Sequence, residues 1–250
     1  MEPISLAFIS AALITFISFV AAPLLLLRDH VLRSLSVFLV ALAASALLGT
    51  AFLHILPEVM EQELEELVFL WAIFGFVFFY VAEKLLHLHH VTEIEGEEKE
   101  HTPRELGILG LLGDFLHNFI DGVILAAAFL VDIQLGFVTA IAIALHEIPQ
   151  EIAVFGVLVY SGFSKLKSLI LNFLSQTSII LGVLLVALTG EVVESRIASV
   201  LLFAVGSFVY LGAADFVPEF RRERDPRKSL NLFLVFLVGL VLVWLVGLLE

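Results

Sequence analysis

His117-Asn118-Phe119-Ile120-Asp121-Gly122 and His146-Glu147-Ile148-Pro149-Gln150-Glu151 are two short polar strings set inside long apolar runs. The runs around them decide the fold. The chain has 250 residues, of which 60% are hydrophobic, with 23 Phe. That excess falls in stretches long enough to cross a hydrocarbon core of ~30 Å. Eight spans are expected, at about 4–27, 34–56, 67–88, 106–130, 135–160, 168–189, 197–217 and 230–249. The first lacks a basic residue ahead of it, carries Glu2, and is too long for a signal peptide, so it is read as a span. The fold class is therefore an all-α integral membrane protein of eight transmembrane helices. Residues 1–250 are read as one membrane domain with a His/Glu-bearing loop at about 89–105.

An ionisable side chain at membrane depth costs roughly 2.5–3.5 kcal/mol on insertion scales and marks a functional site by default. His117 and His146 each lie about eleven residues into their spans, or about 16 Å at ~1.5 Å per residue, near mid-membrane. They are almost equidistant from the expected hairpin tip at Val131 to Gln134, so an antiparallel pair brings them level. Asp114, His117, Asn118 and Asp121 recur at spacings of three and four and share one helix face. On the next span, His146 pairs with Gln150 and Glu147 with Glu151, each at i,i+4. Pro149 removes a backbone hydrogen bond close by and can free a carbonyl.

Imidazoles with carboxylates suit Zn²⁺, Fe²⁺, Co²⁺ or Mn²⁺ and argue against Ca²⁺ or Mg²⁺. The chain has no cysteine, and its two methionines, Met1 and Met60, lie outside these strings, so thiolate and thioether sites are set aside. Ligands strung along a path rather than closed into a cage favour reversible binding, and so a bound substrate rather than a cofactor. Interhelical hydrogen-bonding is the bland alternative, but so many ligands at one depth exceed what it needs.

The net charge of −13 says little here; where the basic residues fall says more. Twelve of the thirteen lie on or beside the connections between spans one and two, three and four, five and six, and seven and eight. Only Arg196 lies opposite. The positive-inside rule puts those connections in the cytoplasm and both termini outside, with a cell-membrane location. Acids at Glu58, Glu61, Glu63, Glu65, Glu66, Asp132, Glu191 and Glu194 fall outside, where they gather cations or simply solvate loops. The cytoplasmic loop brings His87, His89, His90 and His101 among glutamates, a stretch able to hold metal weakly or to serve as a solvated tether. The basic residues follow topology and give no support to nucleic-acid binding.

Span two ends His54-Ile55-Leu56-Pro57-Glu58 and span seven ends Asp215-Phe216-Val217-Pro218-Glu219. Similar endings on oppositely oriented spans suggest an inverted repeat, one to three against six to eight around a central pair, a 3+2+3 arrangement suited to alternating access. His54, Asp215 and Glu219 are candidates for entrance or exit roles.

At these residues the chain resembles the ZIP family of zinc and iron transporters. The two strings are similar to the family's H-N-F-x-D-G and H-E-x-P-H-E signatures on its fourth and fifth spans. Phe52 to Glu58, Asn172 to Gln176 and Val209 to Glu219 resemble the family's second, sixth and seventh spans, in order. The resemblance implies eight helices with outward termini, a binuclear site between spans four and five, a homodimer, and elevator-type movement that carries metal toward the cytoplasm. It implies His117, Asp121 and His146 as primary ligands, with Asn118 and Glu147 serving an adjacent metal position. Gln150 departs from the family's usual His or Glu and is a poorer donor, for which Glu151 can compensate. Ser175 stands where some bacterial members carry Glu. Two other readings stay open: an intramembrane zinc hydrolase using His146 and Glu147, with His117 in place of the missing second His of H-E-x-x-H, and a metal sensor without flux.

Overall fold

In the computed structural model, residues 2–60, 66–91, 103–189 and 197–247 are described. Among them are eight helices long and apolar enough to cross a membrane. They are α1 (Pro3–Leu26), α2 (Asp29–Ile55), α3 (Leu67–Leu85), α4 (Arg104–Val131), α5 (Ile133–Tyr160), α6 (Lys165–Thr189), α7 (Ala198–Arg221) and α8 (Pro226–Leu245). No strand occurs among the described residues.

Every expected span is present, and several run a turn longer. Helix α2 starts at Asp29 rather than 34, α6 at Lys165 rather than 168, α8 at Pro226 rather than 230, and α7 continues to Arg221. The extra turns are polar and belong at the headgroup level, so a count of apolar residues stops short of them. Lys165 shows why α6 begins early. Its ammonium donates to the Leu27 carbonyl (2.5 Å) and pairs with Asp29 (2.7 Å), which ties the starts of α6 and α2 to the end of α1. At the other face the α4–α5 hairpin turns on a single residue. The Asp132 carboxylate accepts from the amides of Gln134 (2.8 Å) and Leu135 (3.0 Å), capping the orphan donors of α5. In the α7–α8 turn, an ion pair with Lys228 (2.5 Å) and backbone amide donors hold the Glu223 carboxyl below the usual carboxylate range.

Helix α4 packs on α5 and α6, α3 on α7, and α2 on α5 and α8. Two of these contacts are set by reciprocal glycines. A Cβ at Gly122 would overlap the Ile179 carbonyl, and one at Gly182 the Phe119 carbonyl, so α4 and α6 meet backbone to backbone. Gly75 and Gly206 do the same for α3 and α7. Small residues are what let helices approach in a lipid setting, where burying apolar surface drives little association. Outward faces remain apolar, with Phe74 and Phe78 on α3 and Leu234 and Val241 on α8 exposed. Such a surface suits lipid rather than water.

Both α2 and α7 change pitch near their ends. Thr50–Ile55 and Tyr210–Phe216 are π-helical, and each precedes a proline, Pro57 or Pro218. A proline cannot donate to the carbonyl four residues back, and a wider turn accommodates its ring. The two segments whose sequences look alike therefore also share an uncommon backbone. Single π-turns occur often at functional sites.

Candidate metal centre

Because α4 and α5 diverge from Asp132, residues equally far from it face each other. Glu147 on α5 thus comes to His117 on α4. His117 Nε2 lies 3.6 Å from Glu147 Oε1 and 3.5 Å from Asp121 Oδ2. One donor atom from each of the three falls within 4.8 Å of the others. Two donors at about 2.0–2.2 Å from a tetrahedral Zn²⁺ stand roughly 3.4 Å apart, so this spacing fits an ion between them. All three side chains are buried, Glu147 completely so. His146 sits on α5 beside Glu147; its side chain lies outside the described residues.

A second polar layer adjoins the first. Asn118 donates to the Asp114 carbonyl (3.0 Å), and Gln150 Nε2 approaches Asp114 Oδ1 at 3.4 Å, linking the two helices. Helix α6 supplies partners of its own. Asn172 donates to Glu151 Oε2 (2.5 Å) and to the Glu151 carbonyl (3.1 Å). The Gln176 amide, oriented with its nitrogen toward the acids, donates to Glu147 Oε2 at 3.0 Å and also reaches Glu151. Asn118, Glu147, Glu151, Asn172 and Gln176 are each 0% exposed. Reading the sequence singled out Ser175 from this patch, and its hydroxyl donates to the Leu111 carbonyl on α4 at 3.3 Å. Asn172 and Gln176 bound the stretch that resembles the family's sixth span but are not among the ligands the sequence suggests. The available signal was their i,i+4 spacing inside an apolar span, which puts both on one face.

Two small cavities of about 20 Å³, each room for about one water, flank this cluster. One is lined by His54, His117 and Asp121. The other is lined by Asp114, Gln150, Val157 and Phe216. His54, in the π-helical stretch of α2, thus shares a cavity with the cluster. Asp215 and Glu219 are not brought to it. They sit at the far end of α7, where Tyr160 and Arg222 engage Glu219. His101, with Glu61, Glu63, Glu65, Glu191 and Glu194, lies outside the described residues. So do the side chains of His87, His89, His90, Glu58 and Glu66.

Eight lipid-compatible helices enclosing an imidazole and several carboxylates define a multi-pass membrane protein with a buried cluster of metal-capable side chains. The family described as ZIP Zinc transporter matches residues 3–107 and 92–247. Zinc transporter ZIP13 of Pongo abelii is 32% identical over 225 residues, covering 84% of this chain and 66% of the relative. Zinc transporter SLC39A7 of Canis lupus familiaris is 36% identical over 166 residues, 62% of this chain and 35% of the relative. Zinc transporter ZIP4 of Homo sapiens is 41% identical over 138 residues, 55% of this chain and 21% of the relative. This chain therefore spans only part of the length of each. It belongs to the ZIP zinc transporter family.

Proposed function

We propose that the chain carries a divalent transition-metal cation, zinc foremost, across the membrane through a site on α4 and α5. The observation that carries this reading is the convergence of His117 Nε2, Asp121 Oδ2 and Glu147 Oε1 at buried positions. Carboxylates in such a place are costly unless a cation balances them. A neutral imidazole with two carboxylates balances a double positive charge. Three zinc transporters among the relatives make zinc the first ion to test.

In this reading His117, Asp121 and His146 hold the ion first, and Glu147, 3.6 Å from His117, reaches that ion as well as the adjacent position. Asn118, Gln150 and Glu151 form the adjacent position, with Gln150 its weaker donor. His54 receives the ion from outside, and Asp114 and Ser175 mark the inward route. Asp215 and Glu219 stand near the exit, and His87, His89, His90 and His101 take up metal in the cytoplasmic loop. Residues 1–250 act as one domain in the cell membrane, with both termini extracellular and helices one to three inversely repeated by six to eight. Transport is inward, by elevator-type movement, in a homodimer. The paired π-helical segments of α2 and α7 support the repeat.

Purified protein in liposomes holding a zinc-sensitive dye tests the reading. Zinc influx is expected in the parent and is expected to be lost in His117→Ala, with helicity and monodispersity unchanged. Undiminished influx in both His117→Ala and Glu147→Gln would remove the site.

A further inference from the structure

The cavity beside Asp114 and Gln150 is lined toward the end of α7 by a buried ring. Its walls on that side are Val157 of α5, Gly110 of α4 and the ring of Phe216. Phe216 is 2% exposed, and its Cζ together with Val157 Cγ1 occupies the space a Cβ at Gly110 would need. One helical turn further along, Tyr160, the last residue of α5, donates its hydroxyl to Glu219 Oε2 at 2.5 Å. Arg222 holds the other oxygen, Nη1 to Oε1 at 3.1 Å. Glu219 thus has both oxygens engaged, one of them by the helix that also carries Glu147, Gln150 and Glu151. Glu219, read from sequence as an entrance or exit candidate, is thus bound in a contact that spans two helices.

We propose that Tyr160, acting through Glu219, holds Phe216 closed over the inner end of the buried cavity, as the latch on the pathway's inner side. Tyr160 is a positioning residue: its phenol reaches the plug by fixing the α7 segment on which Phe216 is carried. Phe216 lies where the π-helical turn meets the short helix Val217–Arg221. A wide turn next to a proline is a place where a segment can swing without breaking a continuous hydrogen-bond ladder. Phe216 moves aside when α5 and α7 part, which cannot happen while the phenol bridges them. This extends the transport reading and rests on it for its purpose, but the contact and its test do not require flux.

The cysteine-free sequence makes the test direct. Val157→Cys places a thiol on the cavity wall, and a membrane-impermeant maleimide is applied from the side bearing Arg222. Labelling is expected to be slow in this background. Adding Tyr160→Phe is expected to speed it about tenfold, the consequence of losing one hydrogen bond to a charged group. Glu219→Gln, which keeps the shape and loses the charge, is expected to do the same, and Phe216→Ala at least as much. A separate Arg224→Cys variant, exposed in the α7–α8 turn, should label equally in every background. Labelling at Val157→Cys that stays at the parent rate with Tyr160→Phe and with Glu219→Gln overturns the latch, whatever Phe216→Ala does. Should labelling quicken while liposomes of the parent carry no metal, the latch stands and the transport reading falls.

Discussion

Gln176 touches more of the central acids than any residue the sequence singled out on α6. Its amide meets Glu147 and Glu151, while Asn172 grips Glu151 a turn away. A carboxylate that is free to rotate binds a metal less tightly than one already aimed, and partners behind a ligand typically matter by about 10–100-fold in affinity. Gln176→Leu keeps the helix and roughly the volume but removes the donor. The expected result is metal affinity lower by about 10–100-fold in a radiometal binding titration, with the helical spectrum unchanged. Affinity equal to the parent's would reduce Gln176 to a space-filling role. The same logic separates Asn172 from Gln150. Asn172 holds Glu151 in place, whereas Gln150 reaches Asp114 and lines the same cavity with it.

At the level of elements, α4 is fixed to α5 by a one-residue turn and to α6 by backbone contact. The place of the first was legible in the sequence, as a hairpin tip at Val131 to Gln134; the cap that Asp132 makes is seen only in the structure. The second was not legible. Gly122 closes one of the polar strings and Gly182 sits in an unremarkable apolar stretch, and nothing in their spacing says they face each other. Yet this contact brings Asn172 and Gln176 to the acids of α5. Gly122→Ala should push α6 outward, because the added methyl meets the rigid carbonyl of Ile179 rather than a flexible side chain. Overpacking of this kind costs about 1–3 kcal/mol. The expected outcome is a lower thermal unfolding midpoint in detergent together with weaker metal binding, since both depend on the same spacing. A lowered midpoint with intact binding would mean that α5 alone keeps Glu147 and Glu151 aimed. The π-helical turns were equally hidden, because i→i+5 bonding leaves no hydrophobic period of its own. Their prolines were visible, and so was the likeness of the two endings.

For the molecule as a whole, eight spans and the stretch where buried polar side chains gather could be read because two strong physical penalties write themselves into sequence. Unpaired backbone in lipid demands long apolar helices, and buried charge is tolerated only for a purpose. Span ends were less legible, since interfacial turns such as the one begun by Lys165 are polar and look like loop. Sidedness rests on a separate physical argument. With the helix ends now placed, Arg28, Lys84, Arg104, Lys165, Lys167, Arg221 and Arg222 fall at or beside one set of ends, and Asp132 falls at the other. A basic residue in a short loop resists translocation against an inside-negative potential, so the set with the arginines should stay in the cytoplasm. Single cysteines in the cysteine-free chain test this at Gln134, just past the α4–α5 turn, and at Arg224, in the α7–α8 turn. In sealed vesicles of known orientation, an impermeant maleimide applied from outside should label Gln134→Cys and spare Arg224→Cys until the membrane is permeabilised. The reverse pattern would turn the molecule over, put the termini in the cytoplasm, and make His54 an exit rather than an entrance.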